Sequence, residues 1–191
     1  YSFIYPGCGY GGSCFPKDVS AFIKIAEKNG YDFSLLKEVE KINREQLTFF
    51  LKKIHAALWN LSGKKIAVLG LSFKPGTDDM REAPSIKVIE FLLSEGAVVT
   101  AYDPVAVDNA KKFFPMAKFA ASPMEAVEGA DAAVFLTEWS EFAQLDLGSV
   151  KKRMKNPVVF DARNIFDPLK MKLLGFSYHC VGRNSGAGET D

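Results

Sequence analysis

The residues best suited to chemistry lie in one stretch, Gly7-Cys8-Gly9-Tyr10-Gly11-Gly12-Ser13-Cys14-Phe15-Pro16-Lys17-Asp18. Glycine can take positive φ and lie close to a ligand with no Cβ in the way. The glycines lead to Cys14, and a proline, a lysine and an aspartate follow it. Pro16 has the φ of a first helical turn, so Cys14 is expected at or just before a helix N-terminus. There the helix dipole and Lys17 both favour the nucleophilic form of a thiol. The pattern suits a loop that presents a reactive sulfur to a bound ligand. The plainer alternative is a structural cysteine buried in a tight turn.

A second set of candidates lies in Gly70-Leu71-Ser72-Phe73-Lys74-Pro75-Gly76-Thr77-Asp78-Asp79-Met80-Arg81-Glu82. Lys74 is a point charge suited to a phosphate oxygen, and Arg81 is a planar fork suited to a phosphate or carboxylate. Against that stands the ordinary state of such side chains, solvated at the surface. Tyr1, Phe3, Tyr5 and Tyr10 crowd the first ten positions. Their rings could stack on a base or a sugar, or plug the loop onto a neighbouring domain.

The elements that must position these residues follow from hydrophobic periodicity. Val19, Phe22, Ile23 and Ala26 share one face of a helix expected from about Pro16 to Asn29, with Asn29-Gly30 as its stop. Ser34 is expected to cap a long helix reaching about Leu58. Its stripe is Leu35, Val39, Ile42, Phe49, Ile54 and Leu58, while Leu36, Leu47, Phe50 and Leu51 add apolar bulk elsewhere. Such a helix is buried on more than one side, as at a domain or subunit contact. Asn60-Leu61-Ser62-Gly63 marks a boundary.

Beyond Lys64 the pattern alternates strand and helix. Strands are expected at Ile66–Leu69, Ala97–Tyr102, Ala132–Leu136, Val158–Phe160 and Phe176–Cys180, with a helix from Pro84 to Gly96 and a capping box at Ser122–Glu125. The fold class is therefore α/β: a Rossmann-like, doubly wound parallel sheet preceded by a helical segment. The expected division is residues 1–61, residues 64–183 and a disordered tail at 184–191. Loops at the ligand edge of such a sheet begin at Gly70, Asp103, Thr137 and Asp161. The first lacks the G-x-G-x-x-G of ordinary dinucleotide binding.

Composition narrows the partners. A net charge of +1 over 191 residues gives no case for nucleic acid or an anionic membrane. No apolar run approaches the ~20 residues of a membrane span. Three cysteines without regular spacing point to a reducing, cytoplasmic setting. With His55 and His179 as the two histidines, no metal site is expected. The chain starts at Tyr1 and reads as an excised fragment.

The run GYGGSCFPKD resembles the catalytic cysteine motif of the UDP-glucose dehydrogenase family, NAD-dependent enzymes that oxidise a nucleotide sugar to its uronic acid. The block from Gly70 to Glu82 resembles that family's nucleotide-sugar-binding loop. The resemblance extends over nearly the whole chain and implies that a preceding NAD-binding domain is absent, leaving the fragment inert alone. It implies Cys14 as nucleophile and Asp18 as the carboxylate that positions water or the oxyanion. Phe3, Ile4, Tyr5, Pro6 and Gly7, with Tyr10 and Gly11, would wrap the nucleotide sugar. Phe73, Lys74 and Arg163 would contact the same substrate, and Lys17 and Arg81 would contact NAD. The family dimerises through its central helical segment, so a homodimer is expected. UDP-glucose is the expected substrate, GDP-mannose the nearest rival, and N-acetylated nucleotide sugars stand further off. A nucleotide-binding or assembly module without chemistry is the alternative of a different class.

Overall fold

The computed structural model describes residues 5–183. Phe3 and Ile4, expected as substrate contacts, and the tail expected at 184–191 lie outside the described residues. Two helices come first, α1 (Phe15–Lys28) and α2 (Ser34–Leu58). An alternating run follows: β1 (Lys65–Leu69), α3 (Pro84–Ser94), β2 (Val98–Tyr102), α4 (Val107–Phe113), β3 (Lys118–Phe119), α5 (Pro123–Ala126) and β4 (Ala132–Phe135). It ends with α6 (Ser140–Ala143), α7 (Leu147–Arg153), β5 (Val158–Asp161), α8 (Pro168–Leu173) and β6 (Ser177–Cys180).

The strands form one parallel sheet in the order β3-β2-β1-β4-β5-β6. The chain winds outward from β1 to one edge and then returns to β4 to build the other half. That is the doubly wound order with its switch point between β1 and β4. Successive side chains of a strand face opposite sides, and the sheet accordingly divides two cores. Ile66, Val68, Val99, Ala101, Val134 and Phe160 face α2 and α3, whereas Ala67, Leu69, Phe135, Val159 and Tyr178 face the other helices. The two-residue β3 is too short to leave an alternating pattern, and the sequence did not announce it.

The long helix runs over the span expected for it, but it starts differently. Ser34 is its first helical residue, and Phe33 occupies the N-cap with no side-chain capping bond. Ring packing fixes the entry instead, with Phe33 edge-on to Phe22 and to Tyr31, both at 5.5 Å. The stripe also differs. Phe50, Ile54 and Leu58 join the sheet's core, while Leu35, Ile42 and Phe49 are exposed. Asn43 interrupts the apolar face, and the helix turns its second half, not its whole length, onto the sheet.

At α5 the capping box is displaced by one residue. Ser122 Oγ accepts from the Glu125 N–H, but the Glu125 carboxylate accepts from the N–H of Ala121 at 2.7 Å, not from that of Ser122. Among the described residues, no helix is long and apolar enough to cross a membrane, and no group of three or more His, Cys, Asp or Glu side chains is placed to hold a metal ion.

Candidate active site

At the switch point the loops after β1 and β4 touch. Gly70 has φ +94°, and a Cβ there would lie 2.6 Å from the Cβ and backbone nitrogen of Thr137. The Thr137 hydroxyl donates to the Ser72 carbonyl at 2.6 Å, and Ser85 Oγ donates to the Leu71 carbonyl. The two loops that flank the switch-point crevice thus pack directly against each other.

Asp103, at the end of β2, ties three of these loops. Its buried carboxylate accepts from the backbone N–H groups of Leu71 (2.7 Å) and Ser72 (3.3 Å) and from the Trp139 indole at 3.1 Å. Its other oxygen accepts from Val105 N at 3.0 Å and Ala106 N at 2.9 Å. The position of Asp103 at a strand end was readable in sequence, but its role as a tie was not. Asp161, at the end of β5, does similar work, accepting from Arg163 N, Phe166 N and the Tyr178 hydroxyl. Burial pushes the Asp161 carboxyl above the usual range, against these bonds.

The 70–83 loop folds over this base. Phe73 N donates to the Asp79 carbonyl, and Asp79 grips the Arg81 guanidinium through Nε and Nη2 at 2.8–3.2 Å. The hydrogen bonds of Arg81 hold the Asp79 carboxyl below its ordinary value. Lys74 is exposed, with its ammonium 5.4 Å from the centre of the Phe73 ring.

The cysteine loop docks on this loop. Gly12 N donates to the Arg81 carbonyl at 2.9 Å. A Cβ at Gly11 would lie 2.1 Å from the Glu82 carbonyl oxygen, and one at Gly12 would lie 2.8 Å from the Phe73 ring. The glycines that promised close approach to a ligand therefore first serve close approach to the second loop. Asn43 on α2 holds the far side, accepting from Tyr10 N at 2.7 Å and donating to its carbonyl at 3.2 Å. Asn43 was not singled out in sequence. A lone polar residue inside an apolar stripe was the available signal.

Cys14 is the N-cap residue of α1, exposed, with Sγ 3.7 Å from Ser13 Oγ. Lys17 and Asp18 are exposed in the turn that follows, and Tyr10 packs edge-on to Phe15 at 4.7 Å. Cys8 behaves differently. It is buried in the core cluster of the sheet, and burial pushes its thiol up to about 12, against the nearby charge of Arg163. Tyr5 and Pro6 are exposed, and Gly7 lies against the Arg163 guanidinium. The structure thus brings Cys14, Phe73, Lys74 and Arg81 to one loop junction. Arg163 sits below the start of the same cysteine loop.

Comparison with known proteins shows the family and the fold. The UDP-binding domain of the UDP-glucose/GDP-mannose dehydrogenase family matches residues 67–168, and that family's central domain matches residues 1–45. A UDP-glucose 6-dehydrogenase of Pseudomonas aeruginosa is 47% identical over 190 residues, which cover 95% of this chain and 42% of that protein. The chain likewise spans 42% of a Bacillus subtilis UDP-glucose 6-dehydrogenase that is 44% identical. Among solved structures, a UDP-glucose dehydrogenase from Pyrobaculum islandicum superposes with TM-score 0.78 at 31% identity, covering 91% of this chain and 38% of that one. With a family match across more than half its length and a parallel sheet that superposes on a solved member, this chain belongs to the UDP-glucose/GDP-mannose dehydrogenase family.

Proposed function

We propose that this chain forms the cysteine-bearing and nucleotide-sugar-binding part of an NAD-dependent enzyme that oxidises UDP-glucose to UDP-glucuronate. One observation carries the reading: the Gly11–Cys14 loop rests on the 73–82 loop through the Gly12–Arg81 backbone bond. A ligand whose phosphates meet Lys74 would then present its sugar towards Cys14. Tyr5, Pro6, Tyr10 and Gly11 line the approach, with Phe73 beneath it.

The sheet itself does not fit a dinucleotide, since Gly70 is closed against Thr137 and the Asp103 oxygens are already taken. Lys17 and the outer edge of Arg81, both exposed near Cys14, fit a cofactor held mainly by other parts of the enzyme. When bound, NAD supplies the hydride acceptor. Within this chain, Cys14 Sγ adds to the carbonyl carbon of the aldehyde-level sugar, making a C–S bond, and the carbonyl oxygen takes up a proton. After oxidation of that carbon, water directed by Asp18 attacks the resulting thioester. The C–S bond breaks, sulfur leaves with the electron pair, and the water oxygen ends in the new carboxylate. Covalent capture keeps the aldehyde from escaping between the two oxidations.

Self-association through the helical segment is part of this proposal, because Phe22, Ile25, Leu35, Ile42 and Phe49 are exposed on α1 and α2. The three free cysteines fit a reducing compartment such as the cytoplasm. The test is NADH formation by a complete enzyme containing this chain, with UDP-glucose against GDP-mannose. Preference for UDP-glucose is expected. Preference for GDP-mannose would move the substrate to the rival sugar nucleotide, and turnover of neither would leave a binding module.

A further inference from the structure

Two arginines stand at the ligand edge, and each is already gripped by a carboxylate through two nitrogens. Arg81 is held by Asp79. Arg163 is held by Glu138 just after β4, with Nε and Nη2 each 2.7 Å from a carboxylate oxygen. The second pair is the more enclosed, at 19% side-chain exposure for Arg163 and 38% for Glu138. The loop beneath is fixed too. Arg163 N donates to Asp161, and Asn164, at φ +52°, pairs its side-chain amide with both backbone groups of Val181. Among the described residues, the Nη1 edge of Arg163 takes no hydrogen-bond partner. It faces the cysteine loop, where a Cβ on Gly7 would lie 2.6 Å away. Lys74 is held differently. Its ammonium is exposed and sits over a ring.

We infer that Glu138 is a positioning and charge-cancelling residue for Arg163, so that Arg163 donates to a neutral oxygen of the nucleotide sugar while Lys74 supplies the charge that meets its phosphates. The inference rests on the nucleotide-sugar reading above. A bidentate pair has no net charge to offer an anion, yet its outer N–H groups remain fixed, directional donors. A hydroxyl or carbonyl oxygen suits such a donor. A diphosphate would gain more from an arginine left unpaired.

The test is calorimetric titration of the 191-residue chain with UDP-glucose at low and high salt. The double variant Arg163→Gln/Glu138→Gln, which removes the pair without changing the net charge of the site, should weaken binding about ten- to hundredfold, by the same factor at both salts. The double variant should lose no more than Arg163→Gln alone, because Glu138 acts through Arg163. Glu138→Asp keeps the pair neutral but shortens the arm, and should lose affinity in the same way. Lys74→Ala should give a loss that shrinks as salt rises. A loss for the double variant that shrinks as salt rises would show Arg163 serving the phosphates and overturn the inference. Unchanged binding by Glu138→Gln and Glu138→Asp would overturn it equally. Failure of the unaltered chain to bind either UDP-glucose or GDP-mannose would instead remove the nucleotide-sugar reading on which the inference stands.

Discussion

The sheet and the helical hairpin of this chain are built to different standards of completeness. In the sheet, both faces are covered, and the buried polar groups Asp103, Asp161, Thr137, Ser72 and Ser85 all have partners within the chain. In the hairpin, α1 buries Val19 and Ile23 but leaves Phe22 and Ile25 exposed, and α2 packs only its second half on the sheet. One region finds its contacts locally, and the other is shaped for contacts it does not find among the described residues. Cys14 stands where the two meet. Its placement therefore depends on the joint between the Gly11–Gly12 turn and the 73–82 loop more than on either region alone.

Breaking the sheet side should have the largest effect. Asp103→Ala removes the acceptor of five N–H groups, four of them backbone and one from Trp139. Chemical denaturation should report a loss of about 3–5 kcal/mol, since buried donors left unpaired carry their full desolvation cost. A loss below about 1 kcal/mol would mean that the loops do not depend on this tie. Breaking the joint should spare both regions. Gly11→Ala places a methyl group against the Glu82 carbonyl, which must move, so a complete enzyme should lose roughly a hundredfold in kcat/KM with its melting temperature nearly unchanged. Equal falls in activity and stability would show that the joint is part of the core. Altering the unfinished side should matter least to the fold. Phe49→Asp changes an exposed ring, so stability should move by no more than about 0.5 kcal/mol while self-association in light scattering falls. A large destabilisation would place Phe49 in the core after all.

The same contrast explains how much could be read from the sequence. Strands with compact apolar runs, such as Ile66–Leu69 and Ala132–Phe135, announced themselves because burial on both faces leaves no polar residue in them. The parallel, doubly wound class of the sheet followed from strand–helix alternation, while its strand order came from the structure. In the hairpin the apolar pattern was just as visible, but the pattern alone does not say which residues the chain itself covers. Leu35 and Ile54 look alike in sequence, yet one is exposed and the other fully buried. Within the candidate site, Cys14 and Lys74 stood out by motif. Asp103, Asn43 and Glu138 did not, because each acts through pairings across 25 or more residues of chain. Only the fold brings such partners together.

In the proposed chemistry Cys14, and not the buried Cys8, carries the covalent step. This assignment is tested most directly by replacing each with serine in a complete enzyme containing this chain and measuring uronic acid formed from UDP-glucose. Cys14→Ser should lower steady-state turnover by about 10⁴-fold or more, as removal of a nucleophile does. Cys8→Ser should keep the chemistry once its folding cost is accounted for, because that sulfur is enclosed in the core and burial holds its proton in place. Near-normal uronic acid production by Cys14→Ser would contradict the account.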